Sequence, residues 1–172
     1  MPSGWALLQR HQIESLSGTS VRDWRCTEMS LESLDEQNPV WRHISVDALQ
    51  CAVIDLLVDN GWQRFHTLPG DDPMSDYGIV VRDAPDTLDP VAPDTSIYRN
   101  CLSLPLPRGL IQSVETTTNS HGTIGYVTPK IEAALVSLSA GEFYAVDDGG
   151  YRVAEFDESV LVRLNGRHPS SG

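Results

Sequence analysis

Residues 45–82, SVDALQCAVIDLLVDNGWQRFHTLPGDDPMSDYGIVVR, decide how the rest of the chain is read. Val46, Leu49, Val53, Leu56 and Leu57 recur at helical spacing, with Asp47, Gln50, Asp55 and Asp59 on the other side. Ser45 stands where an N-cap hydroxyl accepts from the first turn, Asp47 complements the helix dipole, and Asn60-Gly61 is a stop signal. The pattern predicts a surface helix over 46–60, with Ala48 and Ala52 small enough for close packing on a sheet. Residues 62–68 then alternate with period two: Trp62, Arg64 and His66 share one strand face, Gln63, Phe65 and Thr67 the other. PGDDPMSD interrupts regular structure, and 77–82 returns as a short strand antiparallel to the first.

Outward from this unit, residues 1–44 carry isolated tryptophans (Trp5, Trp24, Trp41) among polar runs and read as an N-terminal extension or arm. A short helix is expected around Ser30–Leu34, closed by Asn38-Pro39. Downstream, strands are expected at 97–106, 109–118 and 123–127. Thr128-Pro129 reads as a helix start, with Ile131, Leu135 and Leu138 as the buried stripe of a second helix over 129–139 that stops at Gly141. The pairing 142–146 with 151–156 across Asp147-Asp148-Gly149-Gly150 has the composition of a β-hairpin, 159–164 adds a strand, and 167–172 is a tail. Strands and helices segregate, so the expected fold is α+β: a mostly antiparallel sheet with two helices on one face, in a core domain over 45–166.

The chain has 172 residues, enough for one domain with a real core, and no window is apolar for the length of a membrane span. The N-terminus lacks the basic start and apolar run of a secretory signal, which points to synthesis in the cytoplasm. Cys26, Cys51 and Cys101 are odd in number, widely spaced and without a CxxC pair, so neither a disulfide framework nor a zinc site is expected. A formal charge of −12 argues against duplex binding through a broad basic face. It fits first an ordinary solvated acidic surface, and otherwise a basic partner, nucleic-acid mimicry, or a channel that lets DNA slide.

Segment 69–94 holds seven aspartates (Asp71, Asp72, Asp76, Asp83, Asp86, Asp89, Asp94) against Arg82, but not the D-x-D-x-D-G order of a calcium loop. It reads as a solvated loop, and no metal or cofactor is expected. Two H-x-[ST] triplets, His43-Ile44-Ser45 and His121-Gly122-Thr123, are what a two-histidine phosphoesterase would use as base and acid. No phosphate loop, G-x-S-x-G, G-x-G-x-x-G or H-E-x-x-H occurs. Against these stand the plainer readings of a capped turn before 46–60 and a glycine turn at 121–123.

Two resemblances attach to these stretches. His43-Ile44-Ser45 before LQCAVIDLLVDNGW resembles the opening motif of ADP-ribosyltransferases, which would imply nicotinamide-dinucleotide binding with Glu115 as the candidate catalytic acid. The order of a helix at 46–60, GWQRFHTLPGDDP, YGIVVRD, a second helix and closing strands resembles neck and tail-terminator (tail-completion) proteins of tailed bacteriophages. That resemblance implies a ring-forming virion protein without an active site, whose subunits meet through sheet edges around an acidic lumen.

The favoured expectation is therefore a non-enzymatic protein of a multi-subunit assembly, a homo-oligomer with neighbouring structural proteins, no membrane and no sequence-specific nucleic acid. Its interface candidates are Trp5, Trp24, Trp41, Trp62, Arg64, Asp71, Asp72 and Asp76. The alternatives are a small enzyme using His43 and His121, and an acidic inhibitor of a basic partner.

Overall fold

A computed structural model describes residues 4–32, 38–70, 76–91, 97–119 and 122–170, with Trp5 given by its backbone alone. Among the described residues one helix, α1 (Gly4–Glu14), precedes ten strands. They are β1 (Ser20–Val21), β2 (Asp23–Met29), β3 (Leu49–Val58), β4 (Gly61–Pro69), β5 (Tyr77–Asp83), β6 (Tyr98–Cys101), β7 (Gly109–Thr118), β8 (Ile124–Ile131), β9 (Ala134–Ala145) and β10 (Tyr151–Leu164). Every strand pairing is antiparallel.

The path of neighbours closes on itself. β1 and β2 are one run of chain interrupted at Arg22: Val21 lies opposite Gly109 on β7, and Asp23 lies opposite Leu57 on β3. Arg22 gives its backbone N–H to Leu57 O at 2.8 Å. From β3 the pairing continues through β10, β9 and β8 to β7, which returns to the starting run. Closure of this kind satisfies backbone groups that an open sheet would leave at its edges. β3 changes neighbours along one side, with 49–51 pairing β10 and 54–58 pairing β4, so the β4–β5 hairpin branches from the ring there.

This arrangement corrects the expected α+β class. Neither of the two helices expected to pack on the sheet, 46–60 and 129–139, exists, and the helix found among the described residues lies at 4–14, where none was expected. The 46–60 stretch is β3, a strand with neighbours on both sides that is buried along most of its length. Such a strand reads as a nearly continuous apolar run, which periodicity cannot separate from a helix. Gln50 and Asp55, assigned to a solvent side, are 2% and 0% exposed. Asn60-Gly61 does break the element, but as the turn of the β3–β4 hairpin, with Gly61 at φ 108°.

The second expected helix is a hairpin. Ile131 lies opposite Ala134, with Glu132 at the turn at φ 53°. The turn resets strand parity, so Ile131 and Leu138 both reach the core while Leu135 is 47% exposed. The hairpin read at 142–156 is present, and the strand at 159–164 is its continuation: β10 runs on through an irregularity between Glu155 and Val160, where Phe156 adopts φ 58°.

Residues 1–44, read as an arm, contribute β1 and β2 to the ring, and the predicted short helix at 30–34 falls partly outside the described residues. The main core gathers Trp24, Ile54, Phe65, Ile79, Val127 and Leu138, and Ile13 and Leu16 enter it from α1 and the turn behind it. Gln9 Oε1 accepts from Val81 N–H at 2.8 Å, so α1 also covers part of the β5 edge. A second cluster, Leu31, Val46, Ala48, Phe143, Tyr151 and Leu161, seats the β9–β10 hairpin. Ile13 is fully buried, and its truncation to Ala should cost about 2–5 kcal/mol in urea unfolding.

The last residues dock as well. His168 is 4% exposed, and its Nδ1 accepts from Arg42 Nη1 at 2.7 Å and from Ser170 N–H at 3.0 Å. Burial, followed by the Arg42 charge, pushes its pKa down from 6.5 to about 4. The unfolded chain therefore binds this proton at a higher pH than the folded one. The contribution is intact above pH 6.5 and is lost as pH falls toward 4. Between pH 6.5 and about 5 the protein should lose about 2 kcal/mol of unfolding free energy through this group. His168→Gln should flatten that part of the stability–pH curve; an unchanged slope would remove His168 as its cause.

Candidate functional site

Strand register brings together charges that are far apart in sequence. Asp55 on β3 lies opposite Arg25 on β2 and opposite Arg64 on β4, so an arginine flanks it on each side. Arg64 in turn lies opposite Arg82 on β5. Asp55 is 0% exposed, Arg25 4% and Arg64 5%. Asp55 Oδ2 accepts from Arg25 Nε at 2.9 Å and from Arg64 Nη2 at 3.0 Å, and Oδ1 accepts from Arg64 Nε at 2.8 Å. The hydrogen-bonded carboxylate raises the Arg64 pKa above its ordinary value, against the opposing effect of burial.

Arg25 spends its remaining donors on the chain that follows β5. Its Nη1 donates to Asp86 O at 2.6 Å and its Nη2 to Pro85 O at 2.5 Å, while the guanidinium lies 4.0 Å from the centre of the Trp62 ring. Ala84 N–H donates to Trp62 O at 2.9 Å. Further along, Asn100 Nδ2 donates to Asp89 O at 2.9 Å, and Asn100 Oδ1 accepts from Thr27 Oγ1 at 2.7 Å. Residues 84–91 are thereby held across the sheet as a strap. Beside it runs a groove of about 500 Å³, lined by Arg64, Arg82, Val53, Leu88, Asp89 and Tyr98 among others. Arg82 is exposed and makes no hydrogen bond or ion pair among the described residues. His66, half-buried nearby, has its pKa lowered by burial and then by the Arg82 charge.

The other candidates are dispersed. Trp24 is fully buried, its Nε1 donating to Pro107 O at 2.8 Å, so it belongs to the core and not to a surface. Trp41 is half-buried under Arg99, at 4.2 Å, and Arg99 pairs with Glu28 at 2.7 Å. Asp76 Oδ2 accepts from Asn119 Nδ2 at 3.2 Å. The Trp5 side chain, Asp71, Asp72 and His121 lie outside the described residues. His43 is tied up locally: its Nδ1 accepts from Ser45 N–H at 3.1 Å and lies 2.7 Å from Ser45 Oγ, and its ring packs edge-on against Tyr151 at 5.1 Å. Glu115 is exposed on β7, opposite Thr128.

The three cysteines, widely spaced in sequence, meet in space. Cys26 lies opposite Cys101 in the β2–β6 pair and within interaction range of Cys51, and Cys101 Sγ donates to Glu28 Oε2 at 3.5 Å. The neighbouring Cys26 thiol, burial and Glu28 push the Cys101 thiol far up. All three are free thiols, and no cluster suited to a metal ion occurs among the described residues.

Sequence reasoning named Trp62, Arg64 and His66 but passed over Arg25, Asp55 and Arg82. The available signal was that charged residues interrupt strand-forming runs, where burial makes an unpaired charge costly.

Comparison of the chain with protein-family models, with curated proteins and with solved structures gives no match.

Replacing Asp55 by Asn would leave two buried guanidiniums facing a neutral amide and should cost about 3–5 kcal/mol. The exposed pair Arg22–Asp59, at 2.7 Å, is the control: Asp59→Asn should change stability by about 1 kcal/mol or less. Chemical denaturation of both variants reads the contrast directly.

Proposed function

We propose that this is a non-enzymatic assembly protein that associates with further copies of itself through an open sheet edge. The observation that carries the reading is the outer side of β7. Its first residues pair with β1 and the turn before it, with Ile111 N–H donating to Thr19 O at 2.8 Å. Beyond Gln112, whose carbonyl accepts from Ser17, no backbone partner on that side occurs among the described residues. The free stretch is SVETTT over 113–118, with four β-branched residues and no charge except Glu115. An unpaired run of this composition is a template for another strand. Two copies meeting antiparallel along it would use the same patch on both sides, the self-complementary geometry of a two-fold contact.

Two of the elements behind the resemblance to phage tail-completion proteins, 46–60 and 129–139, are strands here, so the assembly role is based on the sheet edge.

Native mass by light scattering across the micromolar range tests the reading. The expected result is concentration-dependent association that Ser113→Lys with Thr117→Lys abolishes, because edge lysines oppose strand addition. Both side chains are exposed, so the variant should keep its folding stability within about 0.5 kcal/mol. A protein that stays monomeric throughout, or association indifferent to these lysines, would overturn the proposal.

A further inference from the structure

Among the described residues, the charged side chains that line the groove are Arg64, Arg82 and Asp89. Arg25, Arg64 and Arg82 share one face of the sheet with Asp55. Asp55 is saturated by its two arginines, and Arg25 has each of its nitrogens engaged. Arg64 is different: Nε and Nη2 are used, while Nη1 has no partner among the described residues. Its side chain is 6% exposed, and the residue lines the groove. Directly across the strand pair stands Arg82, equally without a partner among the described residues. Like charges opposite one another destabilise a sheet unless an anion lies between them.

The remaining lining selects the kind of anion. Val53, Leu88 and Val91 give apolar surface, and Tyr98 adds an aromatic wall. A volume of about 500 Å³ is in the range of small-molecule sites, which combine apolar walls with a few placed polar groups. Asp89 lines the same groove and would repel a second negative charge. Phosphate, close to doubly charged near neutral pH, fits this balance poorly; a single carboxylate joined to an apolar body fits it well. Guanidinium pairs bind carboxylates through parallel N–H bonds of matching geometry.

We infer that the groove between the 84–91 strap and the β3–β5 sheet is a binding site for a monocarboxylate with an apolar or aromatic body, its head held by Arg64 and Arg82. The site is separate from the open β7 edge and does not depend on it. Occupancy would bridge β4, β5 and the strap, so a bound ligand stabilises the folded chain by mass action.

Calorimetric titration of the full chain with octanoate and 3-phenylpropanoate, each beside its primary amide, and with inorganic phosphate tests this. Saturable binding of at least one carboxylate is expected, with its amide weaker by about tenfold or more because the charge-assisted bonds are lost. Arg82→Gln should weaken the carboxylate by about tenfold without lowering the melting temperature of the free protein, since Arg82 is exposed, unpartnered among the described residues and a like charge opposite Arg64. Arg82→Lys, a second variant, keeps the charge but loses the fork, and should weaken binding less than Arg82→Gln does. Failure of both carboxylates to bind, equal binding of acid and amide, tighter binding of phosphate, or unchanged affinity in Arg82→Gln would each overturn the site. None of these outcomes bears on self-association, which is read separately from the native mass.

Discussion

The structure depends on one carboxylate shared by two arginines. Asp55 has no exposed surface, and taking three charges out of water is expensive unless each finds partners with good geometry. Its two oxygens accept three hydrogen bonds from Arg25 and Arg64, and Arg25 uses its remaining donors on backbone carbonyls of 85 and 86. The network therefore specifies as well as stabilises. Sliding β2 or β4 by one residue against β3 would turn an arginine to the opposite face and leave Asp55 unmatched, so register on both sides of β3 is set by charge as well as by the apolar pattern.

The same charges link the sheet to its surroundings. Because Arg25 binds the chain after β5, the segment 84–91 lies as a strap over the face that holds Trp62, Arg64 and Arg82, and the face becomes a groove. Elsewhere polar side chains close the sheet where strands run out. Gln9 accepts from Val81 N–H, Gln50 from Phe143 N–H and Ser45 from Tyr151 N–H. These caps satisfy backbone donors that ring closure leaves over, and they make the bare side of 113–118 on β7 stand out.

An acidic chain and a cationic groove are not in conflict. Most of the −12 charge belongs to loops and surface positions, where water solvates it, whereas the groove arginines are set among strands. Net charge describes long-range behaviour such as solubility, and it says little about the sign of one recessed site. The proposed edge is similarly local: one glutamate in a run of serine, valine and threonines keeps self-repulsion small just where two copies would meet.

Turns were legible in the sequence, and so were some short strands. The turn at Asp147-Asp148-Gly149-Gly150, the break at Asn60-Gly61 and the short strands at 62–68 and 109–118 follow from local chemistry: glycine at positive φ, and short strand-forming runs bounded by turn residues. What the sequence by itself could not determine was the state of β3 and of the 129–139 stretch, because a strand covered on both faces and a hairpin that resets parity each imitate helical spacing. Nor could it show that Asp55 lies between Arg25 and Arg64, that Arg82 faces Arg64, or that Cys26, Cys51 and Cys101 meet. Those contacts are made across strands far apart in sequence. Strand register is a property of the whole closed sheet, so only the tertiary structure decided which charges would be buried together and which strand edges would stay unpaired.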